Sequence, residues 1–197
     1  MPEENVTLKA CSVSQTNEYT VTVEHYYMDT AGNYADKPSV AEALTPYYGE
    51  TLVHKNLARE IKGLSFNENK TIQENGNRMQ TQVKGNTTVR LYYDRTVCTV
   101  TYDYRTNGGT SADQETVKTY YGADADLSVA AYKNGWEHDG WNTKSDSETG
   151  LTRYTVTGNV TLYAVYRKDI TVTFVDFAQT YKREGSMYNN DTYALID

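Results

Sequence analysis

The chain has 197 residues, with 19 tyrosines against 2 tryptophans and 3 phenylalanines, and a formal charge of −7 at pH 7. Acidic charge spread along the chain without a basic block argues against nucleic acid or an anionic membrane surface as partner. No apolar run approaches the roughly 20 residues that would cross a bilayer, so no membrane contact is expected within this segment.

Taken in order, residues 12–18 are polar and read as a connector. From Tyr19 the side chains alternate, with Tyr19, Val21, Val23, His25 and Tyr27 on one face and Thr20, Thr22 and Glu24 on the other. That is the period of a half-buried strand. Residues 29–33 supply a turn, since Gly32 and Asn33 tolerate positive φ. Residues 37–44 fit a short helix with Pro38 near its start or an irregular strand. Residues 51–62 place Leu52, Val53, Leu57, Ala58 and Ile61 nearer a helical period, which predicts a short helix ended by Gly63. Residues 67–78 read as a polar loop. Residues 79–83 and 87–93 then read as closing strands joined at Gly85 and Asn86.

The plan returns. Cys98, Val100, Tyr102 and Tyr104 share one strand face, opposite Thr99, Thr101 and Asp103, and Asn107-Gly108-Gly109 is a turn signal. Residues 116–121 predict a strand, 127–132 a helical turn or two, 136–141 a third strand, and 154–156 with 160–166 the closing pair. Gly85 and Gly158 lie 73 residues apart, as do Tyr47-Tyr48-Gly49 and Tyr120-Tyr121-Gly122, while Lys62-Gly63-Leu64 returns as Asn134-Gly135-Trp136. Matches in one order at one step mark a tandem repeat. Residues 5–10 match 159–164, so residues 1–17 are expected to hold the closing strand of a preceding repeat plus the connector. Two whole repeats follow, at 18–96 and 97–168. Residues 169–197 are expected to start a further, truncated repeat whose strand, Ile170 to Val175, lacks partners. The expected fold class is α+β, strand-dominated, with repeats end to end and few residues to bend at each seam.

The second repeat resembles the Listeria–Bacteroides repeat of internalin-type surface proteins. The resemblance rests on Val100-Thr-Tyr-Asp103 with Asn107-Gly-Gly109, on Gly135-Trp-Glu-His-Asp-Gly-Trp141, and on Asn159-Val-Thr-Leu-Tyr-Ala164. His138 stands where the family commonly has Phe or Tyr. The first repeat, about 18–96, resembles a mucin-binding-protein (MucBP) repeat through residues 19–27, 29–33 and 89–93, with Gly63-Leu-Ser-Phe66 replacing the usual Gly-Tyr. Both resemblances imply tandem β-grasp, ubiquitin-like modules on secreted, wall-attached proteins, chiefly of Gram-positive bacteria. They imply an extracellular, cell-wall location and a role in stalks and adhesion, with host or wall glycans or surface proteins as partners. Neither implies catalysis or fixes a ligand.

The residues themselves agree. His25, His54 and His138 lack metal-binding or catalytic spacing, and Cys11 and Cys98 form no zinc pattern. No catalytic, cofactor-binding or metal site is therefore expected, and no cofactor. Cys11 and Cys98 lie a whole repeat apart, too far for the roughly 7 Å Cα separation a disulfide needs, so both are expected to be small unbridged hydrophobes. Asp124 with Asp126, and Asp146 with Glu148, lack the spacing of a calcium loop and read as solvated. His138 is expected to fill an aromatic core slot. Trp141 is expected inside and Trp136 outside, an odd number of residues apart on a strand. The doublets Tyr26–Tyr27, Tyr47–Tyr48, Tyr92–Tyr93 and Tyr120–Tyr121 are each expected to place one ring in and one ring out. Their outward rings are the best candidate ligand surface. The alternative to a spacer is thus a glycan-binding module attached to a secreted enzyme or adhesin.

Overall fold

A computed structural model describes residues 17–110, 114–175 and 180–188. The residue pairs 5–10 and Cys11, on which the preceding-repeat and disulfide expectations rest, lie outside them. Cys98 is buried and unbridged. The chain forms two compact units, one built on Met1–Tyr27, Ala35–Arg59 and Phe66–Tyr93, the other on Met28–Tyr34, Glu60–Ser65 and Asp94–Asp197. The fold is strand-dominated α+β, as the patterning predicts.

In the first unit, β1 (Val21–Tyr27) lies between β2 (Val40–Leu44), antiparallel to it, and β6 (Thr87–Arg95), parallel to it; β4 (Leu64–Phe66) follows beside β6. Parallel register sets Val23 against Val89 and His25 against Leu91, so the inward faces of opening and closing strands coincide. Val21, Val23, Val89 and Leu91 are all fully buried. At about 1.5–3 kcal/mol each, they outweigh a surface pair such as Lys70–Glu74, which is worth about 0–1 kcal/mol. A separate ribbon pairs β3 (Thr51–Val53) with β5 (Gln80–Gln82).

Three sequence expectations change here. Residues 51–62 are not a helix: β3 runs into a single 3-10 turn, His54–Leu57. The apolar spacing reflects Leu52 and His54 pointing inward from ribbon and turn. Residues 67–78 are not a loop but carry α1 (Glu68–Glu74), capped by Asn67, whose side chain accepts from Lys70 N–H. The stripe that docks this helix is polar. Asn67 N–H donates to Tyr92 C=O, Thr71 Oγ1 accepts from Tyr92 N–H, and the Asn75 side chain both donates to and accepts from the Arg90 backbone. Helix side chains four residues apart thereby satisfy backbone groups of β6 that a further strand would otherwise take. Finally, β5 does not form a hairpin with β6. Asn86 instead turns its side-chain oxygen to Thr20 N–H, 2.9 Å away.

In the second unit the order is β11 (Thr180–Tyr188), β10 (Val160–Val175), β7 (Val97–Asp103), β8 (Glu115–Tyr120), with β9 (Glu137–Asn142) also paired to β10. β7 and β10 are parallel, like β1 and β6. The expected helical turn at 127–132 is an irregular segment with one turn at Leu127–Ser128. The expected partnerless strand is also corrected. β10 continues unbroken to Val175, and its far half pairs antiparallel with β11, Ile170 opposite Gly185, which satisfies the backbone that a lone strand would expose. At the first seam, by contrast, Thr96 alone separates β6 from β7.

The repeat is visible bond by bond. Gly49 N–H donates to Val83 C=O and Gly122 N–H to Val156 C=O, both at 2.7 Å. Val83 N–H returns to Glu50 C=O and Val156 N–H to Ala123 C=O, both at 2.8 Å. Tyr48 N–H meets Asn17 C=O at 2.9 Å, and Tyr121 N–H meets Thr96 C=O at 2.8 Å. Asn159 accepts from Thr99 N–H at 2.9 Å, as Asn86 does from Thr20. The 73-residue step is therefore one hydrogen-bonded frame used twice. From Asn17 to Tyr48, however, the first copy carries six more residues than the second, from Thr96 to Tyr121.

Candidate functional site

The tyrosine doublets do not follow the one-in, one-out rule. Tyr92 and Tyr93 are both buried, because β6 is covered on both faces. Tyr92 stacks on Tyr26 (4.8 Å between ring centres) beneath the Lys70 ammonium. Tyr93 lies on the other face against His25, Tyr27 and Phe66. Tyr26 is buried and Tyr27 half-buried, while Tyr120 and Tyr121 are both half-buried. Tyr47 and Tyr48 point out together, at 48% and 61% exposure. They precede Gly49 in a turn rather than a strand, so alternation never applied to them. Of the expected ligand surface, this pair is the part the structure leaves open.

Within the first unit, the buried polar centre is His25. Its Nδ1 lies 2.8 Å from Tyr93 Oη, and its Nε2 lies 2.9 Å from Glu42 Oε1. Arg59 N–H donates to the same Tyr93 hydroxyl at 3.0 Å. An ionised carboxylate can only accept, so Nε2–H donates to Glu42; in the neutral ring Nδ1 is then the acceptor, and the Tyr93 hydroxyl, itself accepting from Arg59, donates to it. Glu42 also pairs with Arg59, and the hydrogen bonds from His25 and then Arg59 hold its carboxyl below the ordinary value. His25 and Tyr93 are both fully buried. The imidazole and phenol are closed off from solvent while Glu42 and Arg59 reach the surface, and the network ties β1, β2 and residue 59 together.

In the second unit Trp141 is fully buried, as expected, whereas Trp136, expected outside, is half-buried and packs against the same core from the residue before β9, where strand alternation does not apply. The Trp141 ring meets Tyr102 at 4.9 Å, Tyr104 at 5.2 Å and His138 at 5.3 Å, each edge to face, and its indole N–H donates to Val129 C=O at 2.7 Å. Gly140, at φ +108°, lets β9 pass Gly150, where a Cβ on Gly140 would lie 3.2 Å from the Gly150 Cα. His138 does fill the aromatic slot, between Trp141 and Tyr166. Asp103, expected on the outer face, is buried instead. Its carboxylate accepts from Arg105 N–H, Thr106 N–H, the Thr106 hydroxyl and the Gln114 amide, holding the turn after β7. Asn107 locks the same turn by donating to Ser145 C=O and Ala164 C=O.

His138 Nε2 is buried without a hydrogen-bond partner, and burial holds the imidazole below its ordinary value. The folded state thus resists a proton that the unfolded chain accepts below about pH 6.5. Stability is full above that pH and falls as the pH drops towards the depressed folded value, by at most about 1.4 kcal/mol per pH unit. His138→Phe is expected to flatten this slope for the second unit between pH 7 and pH 5. Urea midpoints at the two pH values measure it; an unchanged slope would mean His138 is protonated in the fold.

The acidic clusters are held by local partners. Asp124 accepts from Arg153 and Thr155, and Asp126 from Ser128, while Asp146 and Glu148 are exposed. Among the described residues no group of three metal-ligating side chains comes together. A shallow groove of about 270 Å³ crosses the outer face of β7 and β10, lined by Thr99, Thr101, Asn159, Val160 and Thr161. No titratable group lines it. Among the described residues no helix is long and apolar enough to cross a membrane.

No curated protein is significantly similar to this chain. The stretch from β7 through the core half of β10, with its buried Trp141 and closing Leu162 and Ala164, is the part with a recognised relative: residues 99–165 match the Listeria–Bacteroides repeat domain.

Proposed function

We propose that the chain is a non-catalytic repeat segment of a bacterial cell-surface protein, acting as a semi-rigid stalk or spacer. The observation that carries this reading is the duplicated hydrogen-bond frame, one copy of which falls in the matched surface-protein repeat. The first repeat is then a MucBP-like relative of the second, both are β-grasp variants, and the segment works outside the cell on a wall-attached, Gram-positive-type protein. The parallel pairing of opening and closing strands in both units supports that fold. The buried, mutually satisfied histidine network supports a structural rather than catalytic use of the polar core. Small-angle scattering of the whole chain tests it: an elongated particle is expected, and a maximum dimension near that of a sphere of equal mass would overturn the stalk.

A second reading, a glycan-binding module, is favoured by one observation, the adjacent exposed rings of Tyr47 and Tyr48. Such rings can stack on apolar sugar faces. An array of mucin-type and wall glycans separates the two readings. Binding that Tyr48→Ser abolishes would establish adhesion through this pair, and no binding above background would leave the spacer alone.

A further inference from the structure

The tyrosine turn after β8 is held by chain that comes well before it. Residues 28–34 and 60–65 belong to the second unit, although in sequence they fall inside the first copy of the hydrogen-bond frame, from Asn17 to Asn86. The second unit is thus assembled from three stretches, two of which precede β7. Both are shaped loops. In the first, Asp29 Oδ1 accepts from Ala31 N–H at 2.9 Å and Asn33 N–H at 2.8 Å, and Met28 bridges to Tyr34. The second turns at Gly63, φ +77°, where Leu64 N–H donates to Ile61 C=O at 3.0 Å.

These loops meet the turn with bare backbone. A Cβ on Gly63 would fall 2.2 Å from Tyr121 Cδ1 and 2.5 Å from its Cγ. Those atoms are the root of the ring, one bond or two from its Cβ, so the ring cannot swing clear of an added methyl. A Cβ on Gly32 would fall 2.9 Å from the Tyr120 hydroxyl, the far end of a side chain that can give way. Gly63 is therefore the position that demands glycine. Hydrogen bonds tie the same segments together. Thr96 N–H donates to Gly63 C=O at 3.0 Å, and Tyr121 N–H to Thr96 C=O at 2.8 Å. Arg95 spans them, its Nε donating to Met28 C=O and a terminal nitrogen to Tyr121 C=O, both at 2.9 Å. The Tyr34 hydroxyl donates to the Asp94 carboxylate. Tyr121 in turn packs against the buried cluster that holds Trp141, so contacts run from Gly63 through Tyr121 to that core.

We propose that the Tyr120-Tyr121-Gly122 turn is a docking site for glycine loops carried in the sequence of the preceding repeat, and that the core of the second unit depends on their being seated. The occupants are residues 28–34 and 60–65 of this chain, with Gly63 as the seat and Arg95 as the fastening. The chain from β7 onward is then not a self-sufficient module, and one repeat supports the fold of the next. This rests on the repeat reading but not on the stalk. A compact scattering result would leave it standing, and its own failure would leave the scattering result untouched.

Both tryptophans of the chain, Trp136 and Trp141, lie in the second unit, so tryptophan emission follows that unit alone. The test is urea unfolding of the full chain by this signal. Arg95→Met keeps the stem and removes both donors. It is expected to raise the unfolding constant of the second unit about tenfold or more, since two hydrogen bonds are lost. Gly63→Ala is expected to act in the same direction, and about tenfold more strongly with Tyr121 in place than in a Tyr121→Ser background. Backbone strain at φ +77° is common to both backgrounds and cancels, which leaves the ring contact. A tryptophan transition that either Arg95→Met or Gly63→Ala leaves in place would overturn the proposal. So would a Gly63→Ala effect of the same size with and without the Tyr121 ring.

Discussion

Replacing Trp141 by alanine is expected to cost the second unit about 3–5 kcal/mol, the range for removing a fully buried aromatic ring. The ring has no exposure and three aromatic neighbours within 5.3 Å, so neither water nor a small shift of β9 can fill the space. The variant also strands Val129 C=O, the acceptor of the indole N–H. A loss of that size is a large part of the roughly 5–15 kcal/mol that holds a typical domain together. Urea unfolding followed by amide signals assigned to residues 98–166 measures it. Trp141→Phe, which keeps a ring but not the donor, should recover part of the loss. A cost under about 1 kcal/mol for the alanine variant would show that the core closes around the gap and that Trp141 is not its centre.

Tyr93→Phe is the second large effect, though it deletes one oxygen. It leaves the buried His25 Nδ1 and the part-buried Arg59 N–H without their common partner. A stranded buried polar group costs about 1–3 kcal/mol, and His25 Nδ1 is one, so a loss of about 1–3 kcal/mol in the first unit is expected. The imidazole supplies an independent reading. In the neutral ring Nε2 carries the proton, fixed by the Glu42 carboxylate that accepts it, and ring nitrogen shifts report both that tautomer and the hydrogen bond at Nδ1. Tyr93→Phe leaves Nε2–H on Glu42 but removes the donor to Nδ1, so the tautomer should stay while the Nδ1 shift moves to that of an unbonded nitrogen. A variant of native stability with an unchanged Nδ1 shift would mean the hydroxyl does not order the network.

Much of the candidate surface was not legible in the sequence because the tyrosine doublets depend on coverage rather than on alternation. Tyr92 lies on the face of β6 that alternation turns outward, yet Tyr26 and the Lys70 ammonium cover it. Tyr47 and Tyr48 look like the other doublets but sit in a turn, where a period of two has no meaning. Asp103 was placed outward by strand period and is drawn in by three hydrogen bonds from the turn that follows and one from Gln114. The helix α1 escaped notice because its docking stripe, Asn67, Thr71 and Asn75, is polar, and apolar periodicity is blind to a helix held by backbone groups of a strand.

The sequence by itself determined the 73-residue step, the inward faces of β1 and β7, the burial of Trp141 and the short first seam. These are local properties: strand period, glycine placement and direct repetition act within a few residues and survive any tertiary arrangement. Only the tertiary structure decided that β5 joins β3 rather than β6, and that β10 runs on through the second expected seam to pair with β11. Those outcomes depend on which distant backbone is free to pair, and that is not written in a local pattern.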